Sequence, residues 1–205
     1  MTRTTSAVIA EAIRRSPLAD YADRFSALSA SSRGDLVIRE LPFVTQVNLR
    51  VDPEDAGLMQ RFADRLGFAL PVIANTVASG RGRRALWLGP DEWLVVGPEG
   101  QQDTMDRTLY DGLAGAFASM VDVSANRTVL EISGMRARDL LSHGVPIDLD
   151  ARSLPPGRCA QTLLGKAQVI IERHGDQPGF HIHVRSSFSM YAADWLLDAG
   201  SDRTG

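Results

Sequence analysis

Alternation of apolar and polar residues predicts β-strands in two well-defined segments of the chain. In residues 43–51, phenylalanine, threonine, valine and leucine recur at every second position. In Phe180–Arg185 the apolar residues alternate with His181, His183 and Arg185. Because successive side chains of a strand point to opposite faces, each segment is expected to bury one face.

Shorter apolar runs bounded by turn residues predict eight further strands. Two of them, Arg84–Leu88 and Trp93–Gly97, are joined by Gly89-Pro90-Asp91-Glu92, whose composition is typical of a hairpin turn. The other runs are Leu36–Leu41, Val72–Ala78, Met120–Ser124, Thr128–Ile132, Arg158–Leu164 and Ala167–Glu172.

Helical spacing of apolar residues predicts four helices between and after these strands. The first is expected to have Asp52 as its N-cap and Pro53 at its first position. Gly67 is expected to end it. Its buried stripe is Met59, Phe62, Ala63 and Leu66.

The other three helices are predicted with less regular ends. Asp103 is expected to cap a helix whose apolar stripe continues to Phe117. A short helix is predicted at Met135–Ser142. The last has Ser187 as its N-cap and Gly200 beyond its end.

The order of these elements predicts an α+β fold. Strands arrive in hairpins separated by single helices, so mainly antiparallel sheets are expected, built from two interlocked ferredoxin-like or split βαβ halves. Residues 26–34 are small and polar and are interpreted as a linker. The predicted organisation is an N-terminal arm and linker at 1–34, halves at 35–118 and 119–200, and a tail at 201–205.

Composition narrows the class of protein. The chain has 205 residues, of which 44% are hydrophobic and 23% charged, which is typical of a globular protein. Its net charge of −3 gives no electrostatic basis for nucleic-acid binding. No run approaches the ~20 apolar residues of a membrane span, so we expect a cytoplasmic protein with no membrane partner. A single cysteine, Cys159, excludes an internal disulfide and any all-cysteine metal site.

Candidate catalytic residues are few and isolated. His181 and His183 have a spacing that suits a metal, but no third ligand is evident, so we interpret them as surface histidines. Cys159 has no base beside it in the sequence and is interpreted as a buried structural thiol. A Schiff-base role for Lys166, the only lysine, has no supporting motif.

Three further features are weighed in the same way. Ser79–Arg84 is glycine-rich and basic but leads into a strand, so it is interpreted as a hairpin tip, with contact to an acidic partner as the alternative. Asp148 and Asp150 are interpreted as turn caps and solvated charges. Trp93 lies in a predicted hairpin, where a core position is favoured over a binding surface.

Several segments, taken in order, resemble the gamma subunit of heterotetrameric sarcosine oxidase. The resemblance runs from about residue 40 to residue 199, and each motif is weak by itself. The matching segments are GPDEWL at 89–94, DVSANRT at 122–128, ISG at 132–134, ARDLL at 137–141, PIDL at 146–149, GRCAQT at 157–162 and RSSFSMY at 185–191.

The resemblance implies a fold related to the folate-binding T-protein of the glycine cleavage system. It implies a bacterial complex of four different chains that oxidatively demethylates sarcosine to glycine, forms hydrogen peroxide and transfers the one-carbon unit to tetrahydrofolate. FAD, FMN, NAD, tetrahydrofolate and zinc are then expected on the alpha, beta and delta chains, with alpha in direct contact. No catalytic, cofactor-binding or metal-binding residue is expected on the gamma chain itself.

Five residues inside the matching segments are the candidates for subunit contacts or structural motifs. They are Asp91, Trp93, Asn126, Arg127 and Arg185. The planar, five-donor guanidinium of arginine suits such a contact better than lysine does.

Three alternatives remain at this point. The first is a stand-alone, tetrahydrofolate-binding aminomethyl carrier, in which Asp122 is the candidate carboxylate near the pterin. The second is the equivalent subunit of a related N-methyl amino acid dehydrogenase. The third is a metal-dependent enzyme built on His181 and His183.

Overall fold

Ten strands and five α-helices make up the part of the chain that the structure describes. This computed structural model describes residues 14–113, 115–175 and 179–201. Residues 1–13 of the expected N-terminal arm and linker therefore lie outside the described residues. No helix in the described ranges is both long and apolar enough to cross a membrane.

Two five-stranded antiparallel sheets form the centre of the molecule. Sheet I contains, in spatial order, β1 (Val37–Leu41), β7 (Arg127–Ser133), β10 (Gly179–Arg185), β9 (Ala167–Arg173) and β8 (Cys159–Leu164). Sheet II contains, in spatial order, β3 (Val77–Gly80), β4 (Arg83–Gly89), β5 (Glu92–Gly97), β2 (Thr45–Arg50) and β6 (Ser119–Asp122). The predicted α+β class with antiparallel sheets is confirmed.

The two sheets exchange strands. β1 precedes all strands of sheet II in the chain but pairs with β7 of sheet I. β6 lies after residue 119 but pairs with β2 of sheet II. The division into halves at 35–118 and 119–200 stays a prediction, and these pairings give the physical basis for describing the halves as interlocked.

Helices cover the outer face of each sheet. Helices α1 (Ala22–Ser31), α4 (Ala137–Ser142) and α5 (Ser189–Ser201) share an apolar core with sheet I. Helices α2 (Ala56–Leu66) and α3 (Gln102–Leu113) share another with sheet II. A third apolar cluster lies between the inner faces of the sheets. The order of layers is therefore helix, sheet, sheet, helix.

Helix α2 begins three residues later than the sequence predicted. The side chain of Asp55 is the N-cap and accepts a hydrogen bond from the Leu58 amide at 2.8 Å. Asp52 instead closes the preceding turn, accepting from the Glu54 amide at 2.9 Å. The predicted end is confirmed, because Gly67 adopts the left-handed conformation with φ of 85°.

Four other predictions are wrong in detail. Residues 26–31 are helical because Phe25 and Leu28 of α1 bury themselves in the sheet I core, so they are not a linker. Phe117 lies beyond the end of α3 and is fully exposed. The strand expected at Val72–Ala78 starts only at Val77. Gly200 lies inside α5, where a Cβ would come within 2.7 Å of Leu28.

Candidate functional site

A buried polar cluster lies between the inner faces of the two sheets. Sheet I contributes Glu172 from β9 and His181 and His183 from β10. Sheet II contributes Arg84 from β4 and Gln46 from β2. The period of two explains the placement, since the apolar neighbours on these strands of sheet I face its helices while the polar residues face sheet II.

Glu172 is the centre of this cluster. Arg84 donates from Nε to Oε2 of Glu172 at 2.8 Å. The same oxygen lies 3.5 Å from Nδ1 of His181 and 3.5 Å from Nε2 of His183. Burial by itself raises the pKa of Glu172, but the two imidazoles and the Arg84 charge outweigh it and hold that pKa far below its usual range. Glu172 is therefore a carboxylate throughout the physiological pH range.

Nδ1 of His181 lies between a donor and an acceptor. Nη2 of Arg84 is 3.2 Å away, and a guanidinium can only donate hydrogen bonds, while the Glu172 carboxylate on the other side can only accept. Nε2 faces Oε2 of Glu131 at 3.6 Å, and Glu131 in turn pairs with Arg39 at 3.0 Å.

His183 is the most deeply buried member of the cluster. Burial lowers its pKa to about 4, despite the opposing effect of the nearby Glu172 charge. The neutral ring carries one proton but faces two acceptors, Oε2 of Glu172 at 3.5 Å and Oε1 of Gln46 at 3.4 Å. Gln46 keeps this orientation because its Nε2 donates to the carbonyl of Arg127 at 3.0 Å.

The interpretation of these histidines as surface residues is therefore wrong. A polar strand face was expected to meet solvent, but the second sheet covers it. The prediction that Cys159 is buried is confirmed. Burial and the Glu172 charge raise the pKa of its thiol to about 12, so it is not a nucleophile at neutral pH.

Glu172, His174 and His181 bring three potential metal-ligand atoms within 4.8 Å of one another. Their geometry does not fit a metal ion. The rings of His174 and His181 are stacked with centroids 4.3 Å apart and planes inclined by only 20°, whereas each imidazole binds a metal in its own ring plane. The Arg84 guanidinium also contacts both Glu172 and His181, so a cation already compensates the carboxylate.

The predicted contact residues at the hairpin turn have separate environments. Asp91 is half exposed and forms an ion pair with Arg50 at 2.8 Å. Trp93 is fully buried in the sheet II core, and its Nε1 donates to the Pro71 carbonyl at 2.7 Å. The core interpretation of Trp93 is therefore correct, and this side chain is not available to a partner.

The other predicted contact residues lie together at one end of sheet I. Arg127 on β7 and Arg185 on β10 are directly paired in the strand register. Asn126 is exposed, and its carbonyl accepts from the Ser186 amide at 2.9 Å. The structure thus brings three of the five residues into one region, separate from Asp91 and Trp93.

The remaining candidates have structural roles. Asp148 accepts from the Asp150 amide at 2.9 Å, and Asp150 pairs with Arg138 at 3.0 Å, as expected of turn caps and solvated charges. Lys166 is exposed in the turn between β8 and β9. Asp122 accepts from the Ser124 amide at 2.8 Å and therefore closes a turn.

Sequence reasoning missed three members of the buried cluster. Arg84 was assigned to a hairpin tip, and Glu172 and Gln46 were not singled out. The available signal was Glu172, a charged residue near the end of the apolar strand Ala167–Arg173. A carboxylate buried with such a strand needs a cationic partner, which could have been sought elsewhere in the chain.

Comparison with known proteins identifies the family. Residues 50–202 match the Sarcosine oxidase, gamma subunit family. The chain is 37% identical over 188 residues to sarcosine oxidase subunit gamma from Arthrobacter sp., covering 91% of this chain and 90% of that protein. It is 36% identical over 191 residues to the subunit gamma of Corynebacterium sp. strain P-1, covering 93% and 91% of the two chains.

Solved structures agree with the sequence matches. A chain of heterotetrameric sarcosine oxidase from Corynebacterium sp. U-96 superposes with a TM-score of 0.84 at 34% identity, covering 94% of this chain and 97% of that one. Glycine cleavage system aminomethyltransferase T from Bartonella henselae superposes with a TM-score of 0.63 at 14% identity, over 83% of this chain and 48% of that one. The second likeness shows a shared fold. This chain therefore belongs to the sarcosine oxidase gamma subunit family.

Proposed function

We propose that this chain is a non-catalytic structural subunit of a heterotetrameric sarcosine oxidase. The observation that carries the proposal is the match to a chain of such a complex over nearly the full length of both chains. A subunit that had lost or gained a domain would cover less of its counterpart. We further propose that it contacts the alpha subunit directly, with beta and delta in the same cytoplasmic complex.

The chemistry of the buried cluster supports a structural role. Arg84, Glu172 and the two histidines contact one another, and Glu172 and His183 have almost no exposed surface. A general base needs to reach its substrate and to have a pKa near the working pH. Glu172 remains ionised and His183 remains neutral near pH 7, so neither side chain gains or loses a proton at the pH of the reaction.

The reaction is proposed to take place on the partner chains. On this view the complex oxidatively demethylates sarcosine to glycine, reduces oxygen to hydrogen peroxide and passes the one-carbon unit to tetrahydrofolate. FAD, FMN, NAD, tetrahydrofolate and zinc then bind to the partners.

Co-purification tests the proposal. The chain is tagged and co-expressed with alpha, beta and delta chains of a sarcosine oxidase from the same organism. We expect the tag to retain all four chains in a complex that shows flavin absorbance. Elution of the tagged chain without flavin, under conditions where the other three chains form a flavoprotein, would contradict it.

A stand-alone tetrahydrofolate carrier is the second candidate, favoured only by the shared fold with aminomethyltransferase T. Its candidate carboxylate, Asp122, lines a cavity of about 420 Å³ but is held by Ser124. Titration of the isolated chain with tetrahydrofolate separates the two functions, since saturable binding would favour the carrier. Turnover of other N-methyl amino acids by the co-purified complex would instead indicate the related dehydrogenase.

A further inference from the structure

Two arginines face each other at one end of the inner face of sheet I. Arg127 and Arg185 are register partners on the antiparallel strands β7 and β10. Directly opposed residues on one face of a strand pair lie within side-chain contact, and like charges there repel. Arg127 is partly buried and Arg185 is exposed, so the pair lies where the space between the sheets opens to solvent.

The described residues supply neither arginine with a carboxylate partner. The ion pairs in the described ranges use other arginines. Glu92 favours the charged form of Arg127, but its Oε1 already accepts from Asn48 at 2.7 Å. Burial, followed by the Arg185 charge, lowers the pKa of Arg127, and the opposing effect of Glu92 is smaller than these two.

Both arginines line one cleft. Its volume is about 340 Å³, and its other walls include Gln161, Gln168 and Leu163. Gln161 is fixed, since its Nε2 donates to the Leu88 carbonyl at 2.8 Å. Arg127 also lines the adjoining cavity, together with Arg14, Arg15 and Asp122. Arg15 pairs with Asp20, so the uncompensated charge in this region is that of Arg127 and Arg185.

We propose that Arg127 and Arg185 bind a carboxylate, supplied by an acidic side chain of a partner subunit that enters this cleft. The inference rests on the proposed function. Guanidinium groups bind carboxylates in a bidentate, charge-assisted geometry, and two of them facing one cleft provide an excess of donors. Leu163 lines the same cleft with 40% of its surface exposed, and a polypeptide covers such a side chain whereas a small anion does not.

The test compares arginine variants in the four-chain complex. Arg127→Gln, Arg185→Gln and the double variant are each tagged, co-expressed with the partners and washed at increasing salt. We expect each single variant to retain about tenfold less partner than the unmodified chain, and the double variant to retain the least. Arg185→Lys keeps the charge and is expected to recover part of the loss. Arg107→Gln on α3 is the matched control and is expected to have no effect. Arg107 is exposed, and among the described residues its hydrogen bond stays within its own helix, to the Asp103 carbonyl.

Thermal unfolding of the isolated full-length chain separates a loss of contact from a loss of folding. Arg185→Gln removes one of two repelling charges, so its melting temperature is expected to stay the same or rise. Melting is also followed in sodium acetate and sodium glutamate. One result would overturn the partner assignment in favour of a free small carboxylate. In that result, acetate or glutamate raises the melting temperature of the unmodified chain but not of the glutamine variants, and these variants still form the complex normally.

The two proposals fail in different ways. If the unmodified chain retains no partner, the proposed function fails and so does this inference. If the unmodified chain assembles and the three glutamine variants assemble equally well at every salt concentration, only the inference is overturned. Reduced assembly of these variants, with normal melting temperatures and an unaffected Arg107→Gln control, supports it.

Discussion

Arg84 and Glu172 join the two sheets through a buried ion pair. Nε of Arg84, on β4 of sheet II, donates to Oε2 of Glu172, on β9 of sheet I, at 2.8 Å. The pair is surrounded by apolar residues of the layer between the sheets and by His181 and His183. It therefore fixes one sheet relative to the other at a place where an unpaired charge is costly.

Replacing Glu172 with glutamine is expected to destabilise the chain strongly. The substitution leaves the Arg84 side chain, which is 18% exposed, without its counter-charge. Breaking a fully buried pair typically costs about 3–5 kcal/mol, so the lower end of that range is expected here. Urea unfolding of the full chain measures the free energy of unfolding. The matched control is Asp111→Asn, which breaks the exposed pair with Arg65 and is expected to cost less than about 1 kcal/mol.

A double variant separates the cost of an orphaned charge from the value of the pair. Removing both charges with Arg84→Met and Glu172→Leu is expected to restore much of the stability lost in Glu172→Gln, since apolar replacements of buried pairs are often neutral. A Glu172→Gln variant that unfolds within about 1 kcal/mol of the unmodified chain would contradict the described packing.

His183 is expected to make the stability depend on pH between about 4 and 6.5. Its pKa is about 4 in the folded chain and close to 6.5 when unfolded. The unfolded state therefore takes up a proton first as the pH falls. The free energy of unfolding decreases between pH 6.5 and pH 4, and below pH 4 the contribution of His183 no longer changes. The loss is about 3 kcal/mol, since one pKa unit corresponds to about 1.4 kcal/mol.

Urea unfolding at a series of pH values measures this effect. His183→Gln removes the titrating group and is expected to lose most of the slope between pH 6.5 and 4. His143→Gln, which replaces an exposed histidine of the same chain, is expected to keep this slope. Glu172 acts in the same direction at lower pH. Because its pKa is depressed in the folded chain, its contribution to stability is present above about pH 4.5 and is lost as the pH falls. Equal slopes in His183→Gln and the unmodified chain would refute the assignment.

Cys159 is expected to resist thiol reagents in the native chain. The thiol is buried, its pKa is about 12, and its Sγ lies 3.6 Å from the Trp87 carbonyl. Only the thiolate reacts, so modification by a disulfide reagent should await opening of the fold. The rate is compared with that in denaturing urea, and fast reaction of the native chain would be inconsistent with a structural thiol.

Gly134 tests the packing where β7 leads into α4. Its φ is 104°, and a Cβ there would lie 2.3 Å from the Asp35 carbonyl oxygen. Gly134→Ala is expected to cost about 1 kcal/mol for the backbone and about 1–3 kcal/mol more for the overlap. Gly100→Ala is the matched control, since Gly100 has a φ of 72° and open space around it. Equal unfolding free energies for the two variants would show that the close approach is absent.

The sequence predicted most elements because local signals for them were strong. The alternation in Phe180–Arg185 correctly separated the two faces of β10, and Gly67 correctly marked the end of α2. The pattern did not reveal what covers each face. His181 and His183 were assigned to solvent because a period of two does not distinguish a polar face in water from one against a second sheet.

The remaining errors have the same origin in long-range packing. Residues 26–31 have a composition typical of a linker, yet they form a helix because Phe25 and Leu28 pack against sheet I. Gly200 has the sequence position of a helix end but continues α5, where it allows close approach to Leu28. Arg84 and Glu172 are 88 residues apart, so their pairing was accessible only from the structure.

Enzyme assays on the assembled complex test the central claim, that this chain supports the reaction without carrying it out. The tagged chain is co-expressed with the proposed alpha, beta and delta partners, and sarcosine-dependent hydrogen peroxide formation is measured on the tag-purified material and on the chain alone. The account predicts turnover by the four-chain complex, none by the isolated chain, and an unchanged kcat in complexes that contain Cys159→Ala or Asp122→Asn. Sarcosine turnover by the isolated chain, or loss of kcat in a fully assembled Cys159→Ala or Asp122→Asn complex, would contradict it.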